Sequence, residues 1–186
     1  MNSKIKILGF GGSLREGSFN KALLYAAKEA VPENAEFEIF DKIGTFPLFN
    51  QKNENAMPLE VLEFKEKIKN SDAIVISTPE YNYSVPGYLK NAIDWASRPY
   101  GNNSFEDKPV AIMSASGGML GGARAQYHLR QIFIFLNMHP INKPEVLVAN
   151  AQEKIKDGII SDEKTKEQIN KLLLALVEWT KSIKKL

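Results

Sequence analysis

The segment at residues 11–20 (GGSLREGSFN) combines residue types that suit the binding of a phosphate group. Its glycines let the backbone come close to a ligand, and Ser13, Ser18 and Asn20 provide short polar side chains. Arg15 provides a positive charge, and the helix predicted to follow would present unpaired backbone N–H groups to an anion. Together these donors suit a phosphate monoester. The alternative is a tight strand-to-helix turn that is capped by a serine.

The same segment departs from two well-known nucleotide-binding patterns. A GxGxxG fingerprint that starts at Gly9 would need a third glycine where Leu14 stands. A Walker loop would need a lysine directly after Gly17, where Ser18 stands. These departures argue against ATP or GTP hydrolysis, and they imply no Mg²⁺ site.

The segment at residues 78–87 (TPEYNYSVPG) suits a planar heteroaromatic ring with a polar edge. Prolines stiffen both ends, Tyr81 and Tyr83 supply flat apolar faces, and Asn82 and the backbone supply hydrogen-bond donors. The alternative is a structural turn whose tyrosines pack on neighbouring helices. Glu80 stands beside a proline, and a carboxylate there is more typical of a local hydrogen-bond acceptor than of a general base.

The segment at residues 114–122 (SASGGMLGG) has four glycines after a predicted buried strand, which favours backbone N–H groups directed at a ligand. Met119 and Leu120 would then cover an apolar ring. Glycine-rich loops are common, so this pattern alone is weak. Three segments of compatible chemistry at one edge of a sheet are more informative than any one of them.

The composition leaves electron transfer to a bound cofactor. The 186 residues include no cysteine, which excludes disulfides, thiolate catalysis, thiolate metal ligands and CxxC redox chemistry. His128 and His139 are the only histidines, and we expect both to be structural or solvent-facing. The sequence therefore indicates neither a metal site nor a Ser-His-Asp arrangement.

Charge and hydropathy argue against two classes of partner. The 24 Lys and Arg residues exceed the 22 Asp and Glu residues by only two, and nucleic-acid binding needs a more basic surface. The longest purely aliphatic run, residues 172–177, has six residues, whereas a bilayer span needs about 20. With no apolar leader run, we expect a cytoplasmic protein that binds neither nucleic acid nor membrane.

No repeat or linker divides residues 1–186, so we expect one domain.

Alternating strand and helix patterns predict the elements that position these segments. Apolar runs predict strands at residues 5–10, 37–40, 73–77, 110–114 and 145–149. Periodic patterns predict helices at residues 18–30, around 61–68, and at 87–97, 122–137 and 162–184, the last with Ser161 as its candidate cap.

Five β–α units in succession predict an α/β fold, a three-layer sandwich with a five-stranded parallel sheet in the flavodoxin-like order 2-1-3-4-5. Ligands of such sheets bind beyond the carboxyl ends of the strands. The chemistry is therefore expected after strands one, three and four.

The three segments resemble the NADPH-dependent FMN reductase family of flavodoxin-like proteins. GSLREGSFN is similar to the family's phosphate loop, PEYNYSVPGYLKNAIDW to its most specific motif, and SASGGMLGGARAQYHLRQI to its third loop and the following helix. The order and spacing hold over about residues 5–150. Within the family, the sequence most resembles the bacterial quinone reductases that are also described as chromate reductases. The C-terminal third is less diagnostic.

The resemblance implies one FMN per subunit and carries over the residues that would hold it. The phosphate and ribityl end would contact Ser13, Arg15, Ser18, Phe19 and Asn20. The isoalloxazine would lie against Pro79, Glu80, Tyr81 and Asn82. The other side would be closed by Ser116, Gly117 and Gly118. No side chain is assigned a catalytic role, because the flavin N5 carries the chemistry.

The implied reaction passes a hydride from NADPH or NADH to the flavin and then two electrons to a small acceptor, in ping-pong order. Quinones, azo dyes, nitroaromatics, free flavin and chromate are the expected acceptors. Arg15 favours NADPH, because it would attract the 2′-phosphate. The alternative is a flavodoxin-like electron carrier that does not itself oxidise NADPH, although such carriers are usually strongly acidic. A third possibility is a binding domain that has lost its ligand.

Two predicted helices are apolar on more than one side, which favours a homodimer or homotetramer, as the resemblance also implies. In helix 122–137, Ile134 and Phe135 lie outside the core-facing stripe of Leu129, Ile132, Phe133 and Leu136. In helix 87–97, Tyr88 and Trp95 lie outside the stripe of Leu89, Ala92, Ile93 and Ala96. We expect a dimer through these helices, with each flavin near the partner subunit. The alternative is that the second stripe packs beneath residues 41–57 or the C-terminal helix.

Overall fold

A parallel sheet of six strands forms the centre of this computed structural model, which describes residues 4–184. Its strands are β1 (Ile5–Gly11), β2 (Ala35–Phe40), β3 (Ala73–Ser77), β4 (Pro109–Ala115), β5 (His139–Pro140) and β6 (Val146–Val148). The order is β2-β1-β3-β4, and both β5 and β6 pair with β4. The predicted order 2-1-3-4-5 is thus confirmed, with two short strands at the fifth position. Pro144 lies in the interruption between them and has no N–H to donate.

Helices lie between the strands close to the predicted positions. They are α1 (Phe19–Glu29), α2 (Leu59–Asn70), α3 (Gly87–Ala96), α4 (Ala123–Phe135), α5 (Ala151–Lys154) and α6 (Glu163–Lys184). The short α5 was not predicted, and neither were the 3₁₀ turns Lys42–Thr45 and Gln51–Asn53 or the hairpin of β7 (Ile155–Lys156) and β8 (Ile159–Ile160). Within residues 4–184, no helix has both the length and the apolar composition that a bilayer crossing requires.

The N-terminus of α6 is capped by Asp162 and not by Ser161. The Oδ2 atom of Asp162 accepts hydrogen bonds from the backbone N–H of Thr165 (2.8 Å) and from its hydroxyl (2.6 Å), and these bonds lower the pKa of the carboxyl group. The Ser161 hydroxyl instead donates to the carbonyl of Lys154 (3.1 Å). Serine and aspartate are equally good caps, so residue type alone could not choose between neighbours.

Side chains of the central strands alternate between two cores, one on each face of the sheet. Ile7 of β1 packs in the core formed with α1 and α6, and Leu8 packs in the core formed with α2, α3 and α4. Every residue of β3 and β4 is buried. The three-layer sandwich is therefore confirmed.

Helix α3 is buried on both of its apolar sides. Its predicted core stripe is buried, as expected: Leu89, Ala92, Ile93 and Ala96. Trp95 is fully buried as well, since its indole N–H donates to the carbonyl of Pro47 (2.8 Å) and the ring of Phe49 packs edge-on against it. The expectation that Trp95 belongs to a stripe for dimer contact is wrong, because the loop at residues 41–57 covers it within the same chain, which was the alternative.

Candidate functional site

A cleft of about 340 Å³ lies beyond the carboxyl ends of β1, β3 and β4. It is lined by Ser13, Arg15, Ser18, Phe19, Asn20, Pro79, Glu80, Tyr81, Ala115, Ser116 and Gly117. All three segments singled out by the sequence therefore meet at one cleft. Of the predicted residues, only Asn82 and Gly118 are outside the lining. The sequence analysis missed Ala115, because an alanine has no functional group and only its position at the end of β4 indicates that it lines the cleft.

A larger groove of about 650 Å³ lies between α2 and strands β1 and β2. Glutamates and lysines dominate its walls, and two of them, Lys67 and Glu38, form an ion pair. Its apolar lining consists of Ile7, Leu8 and Phe37, and none of the three segments contributes to it. The chemistry predicted from the sequence belongs to the smaller cleft.

The first segment forms a loop that is rich in unused backbone donors. Among the described residues, the N–H groups of Ser13 and of residues 15–18 have no protein acceptor. The hydroxyl of Ser18 caps α1 by accepting from the N–H groups of Asn20 (3.2 Å) and Lys21 (3.4 Å). The free donors thus lie in the loop before the helix, whereas the sequence suggested the first helical turn. Gly17 closes the loop at φ +65°, a conformation that glycine adopts without strain.

Arg15 is exposed at the edge of this cleft. Its guanidinium lies 5.2 Å from the centre of the Phe19 ring, and its Nη2 donates to the carbonyl of Gly17 (3.3 Å). Both contacts are local to the loop, so the charge stays close to the free N–H groups. The combination of a cation with several backbone N–H donors is a typical anion site.

The second segment contains a tight turn with an unusual backbone. Tyr81 and Ser84 exchange two backbone hydrogen bonds (3.0 and 2.9 Å), and between them Asn82 and Tyr83 have φ values of +49° and +66°. Two left-handed residues in succession define a mirror-image β-turn, which asparagine tolerates but a bulky tyrosine seldom adopts. Backbone strain of this kind clusters at functional sites.

Glu80 turns its carboxylate toward α4. One carboxylate oxygen accepts from Nε of Arg124 (2.6 Å), and the other accepts from the backbone N–H groups of Arg124 (3.0 Å) and Ala125 (3.4 Å). A negative charge is favourable at a helix N-terminus. Glu80 is therefore a structural hydrogen-bond acceptor, as the sequence indicated, but its donors lie on a helix 44 residues further along the chain and not in its own turn.

Two further contacts hold the turn against α4. The guanidinium of Arg124 stacks on the ring of Tyr83 at 3.5 Å. The Ser84 hydroxyl and Nδ1 of His128 are 2.9 Å apart, which gives that histidine a structural contact. The strained turn is thus supported from one side by a helix.

Asn20 joins the first segment to the third. Its Nδ2 donates to the carbonyl of Ala115 (2.9 Å), and its Oδ1 accepts from the N–H of Ala115 (2.9 Å) and from the hydroxyl of Ser77 (3.3 Å). Asn20 is buried, so these bonds satisfy its amide within the protein. It lines the cleft while fixing the end of β4 beside α1.

The third segment divides between the cleft and the start of α4. Ser116 and Gly117 line the cleft, whereas Met119 and Leu120 are exposed outside it. Gly122 begins α4 at φ +88°, and a Cβ atom there would come within 2.7 Å of the Ser114 side chain. This glycine is thus required for packing, so not every glycine of the segment faces a ligand.

Comparison with known proteins agrees with this arrangement. The sequence profile of the NADPH-dependent FMN reductase family matches residues 5–153. The chain belongs to this family. The resemblance inferred from the three motifs is confirmed, as is the expectation that the protein is an oxidoreductase of the flavoprotein class.

Several relatives match this chain along its whole length. It is 47% identical to the NAD(P)H-dependent FMN reductase of Pseudomonas aeruginosa over 186 residues, which cover 99% of this chain and 100% of that one. It is 39% identical to a quinone reductase of Escherichia coli, with the same coverage. Among solved structures, the flavoenzyme NAD(P)H:(acceptor) oxidoreductase FerB from Paracoccus denitrificans superposes with a TM-score of 0.87 at 35% identity, covering 96% of this chain and 98% of that one.

The residues of the cleft fit the FMN that the family implies. At one end, free N–H groups, the hydroxyl of Ser13 and the cation of Arg15 match the acceptors of a phosphate dianion. At the other end, Pro79 and Tyr81 provide flat surfaces for a ring. The cleft therefore complements a flavin mononucleotide, with hydrogen-bond donors for the phosphate at one end and flat surfaces for the ring at the other.

Proposed function

We propose that this protein holds FMN in the cleft and uses NAD(P)H to reduce small electron acceptors, quinones above all. The observation that carries the proposal is the meeting of three segments at one cleft, with free backbone N–H groups at one end and Pro79 and Tyr81 at the other. The names of the relatives support it, since they include the NAD(P)H:quinone oxidoreductase of Solanum tuberosum, which is 47% identical over 180 residues.

In this proposal each segment has its own part of the cofactor. The phosphate and ribityl end is held by Ser13, Arg15, Ser18, Phe19 and Asn20, with Asn20 acting through its bonds to Ala115. The ring is held by Pro79, Tyr81 and the backbone of Glu80 and Asn82. The opposite side is closed by Ser116, Gly117 and Gly118. FMN bound there would supply the chemistry, taking a hydride from NAD(P)H and passing it as a hydride to a quinone, which would take its second proton from water.

The chain positions the reactants and is not required to move a proton. The one carboxylate in the lining, Glu80, is committed to α4 through three hydrogen bonds. The exposed guanidinium of Arg15 would attract the 2′-phosphate of NADPH, so we propose a preference for NADPH over NADH. An open cleft discriminates poorly among planar acceptors, so azo dyes, nitroaromatics, free flavin and chromate are proposed beside quinones.

A kinetic experiment separates this enzyme from a carrier. We expect the purified protein, loaded with FMN and given only NADPH and benzoquinone, to oxidise NADPH rapidly. Because one open face serves both reactants in turn, double-reciprocal plots at several quinone concentrations should be parallel, as ping-pong kinetics require.

Two results would contradict the proposal. If NADPH is oxidised only after a separate reductase is added, the protein is an electron carrier of the flavodoxin type. If the purified protein is colourless and takes up no added FMN, it is a binding domain without this activity. Intersecting lines in the double-reciprocal plots would contradict the ping-pong order but not the proposed enzymatic activity.

A further inference from the structure

Tyr88, the second residue of α3, reaches under the first loop. Its hydroxyl donates to the carbonyl of Gly12 (2.7 Å) and accepts from the backbone N–H of Leu14 (3.2 Å). One side chain thus satisfies backbone groups on both sides of Ser13. The sequence placed Tyr88 on an apolar stripe for dimer contact, and this pair of hydrogen bonds has no signal in the sequence.

The loop has few other attachments. Among the described residues, residues 13–17 make one hydrogen bond to another element, from the N–H of Leu14 to the hydroxyl of Tyr88. Gly12 is held by its own N–H, which donates to the carbonyl of Ser77 (2.8 Å), and Ser18 is held by its place at the start of α1. Between these two fixed ends, the Tyr88 hydroxyl is the polar anchor of the loop.

The anchored stretch is the one that carries the free donors. Within residues 4–184, the N–H groups of Ser13 and of residues 15–18 have no protein acceptor, while the N–H of Leu14 donates to Tyr88. Hydrogen bonds on both sides of Ser13 restrict the backbone dihedrals of this stretch, and three of the residues with free N–H groups, Ser13, Arg15 and Ser18, line the cleft. A donor set that is ordered in advance binds its ligand without the entropy cost of ordering the loop.

We propose that Tyr88 is a positioning residue for the phosphate group of the cofactor. Its hydroxyl holds the backbone on both sides of Ser13 so that the free N–H groups converge before the ligand arrives. The proposal rests on the proposed function, since it assigns the phosphate of FMN to this loop. A phenylalanine would fill the same space but could neither donate to Gly12 nor accept from Leu14.

The test compares two flavins that differ only in the phosphate. FMN and riboflavin share the ring and the ribityl chain, so their ratio of dissociation constants isolates the phosphate. We expect Tyr88→Phe to raise the dissociation constant for FMN about tenfold, roughly the effect of one hydrogen bond, and to change that for riboflavin less than about twofold. Fluorescence titration of the apoprotein measures both constants. Tyr100→Phe, which removes a hydroxyl from an exposed tyrosine, is the matched control and should change neither.

A second measurement needs no variant. In the wild-type apoprotein, amide hydrogen exchange should be slow at Leu14 and fast at Glu16, because only the first is hydrogen-bonded.

Each outcome decides between the proposals. The role of Tyr88 would be overturned by any of three results: an unchanged affinity of Tyr88→Phe for FMN, an equal loss of affinity for FMN and riboflavin, or equal exchange at Leu14 and Glu16. None of these results would affect the proposed function. A wild-type protein that binds neither flavin would overturn the proposed function itself, together with this role.

Discussion

At the scale of single residues, the polar side chains of the cleft divide into those free to meet a ligand and those satisfied by the protein. Ser13 lines the cleft and Arg15 gives only one hydrogen bond, to the carbonyl of Gly17 in its own loop, so both can meet a ligand. The amide of Asn20 is instead bound to Ala115, and the carboxylate of Glu80 is bound to α4. Sequence motifs group all four together. A motif shows which residues are required, and the hydrogen bonds show what each one contacts.

Arg15→Ala tests the proposed cationic contact. We expect it to weaken the binding of FMN or of NADPH by about tenfold, since a hydrogen bond to a charged group contributes about 1.5–3 kcal/mol and this one is exposed. Fluorescence titration gives the dissociation constant of FMN, and initial rates give the KM for NADPH. Lys28→Ala removes the same charge from the exposed end of α1 and should change neither value. Unchanged affinity for both ligands in Arg15→Ala would remove the assigned role.

At the scale of elements, strong patterns predicted most of the fold. Long amphipathic helices and the fully buried strands β3 and β4 were found close to their expected positions, because their apolar patterns extend over many residues. The split at the fifth strand, the 3₁₀ turns and the hairpin at residues 155–160 were missed, because two to four residues are too few to show a period. The edge at which the cleft lies followed from the strand order alone.

Lys65 makes buried hydrogen bonds that the apolar pattern of its helix does not reveal. It belongs to α2 and is buried, with its Nζ donating to the carbonyls of Ala96 (2.9 Å), Arg98 (2.5 Å) and Asn102 (3.1 Å). These bonds hold the chain that leaves the end of α3. Burial lowers the pKa of Lys65 to about 8, with a smaller contribution from repulsion by Lys69.

Lys65→Met should lower the free energy of unfolding by about 1–3 kcal/mol at neutral pH, because three backbone carbonyls lose their donor. The difference from wild type should grow above pH 8. The folded protein then loses the Lys65 proton while the unfolded chain keeps it up to about 10.5, so rising pH stabilises wild type but not the variant. Urea denaturation at several pH values between 7 and 10 measures this. Lys28→Met is the exposed control, and equal stability of wild type and Lys65→Met at every pH would contradict the prediction.

At the scale of the whole molecule, α4 leaves a second apolar face uncovered. Leu129, Phe133 and Leu136 are buried and Ile132 is partly buried, as predicted, whereas Ile134 is 81% exposed and Phe135 is 77% exposed. Large apolar side chains on the outer face of a helix often mark an association surface. We propose that two copies of the chain associate through α4, without the α3 stripe that the sequence suggested.

Phe135→Asp should convert this dimer to a monomer, because a charge at the contact would have to be buried without a partner. Sedimentation velocity at micromolar concentration distinguishes the two states. Leu59→Asp, at an exposed leucine at the start of α2, is the control and should stay dimeric. A wild-type protein that sediments as a monomer would contradict the proposed assembly.

The outer strand β2 limits how such copies meet. Its alternate residues Glu36 and Glu38 are exposed, and Glu38 forms an ion pair with Lys67 of α2, so charged side chains follow the free margin of the sheet. Charged side chains on an edge strand discourage strand pairing between molecules and the growth of fibrils. At the opposite margin, β5 and β6 have only two and three residues, too few to template an added strand. Strand pairing between molecules is therefore disfavoured at both edges of the sheet. Two copies of the chain would then associate through the helices that cover its faces.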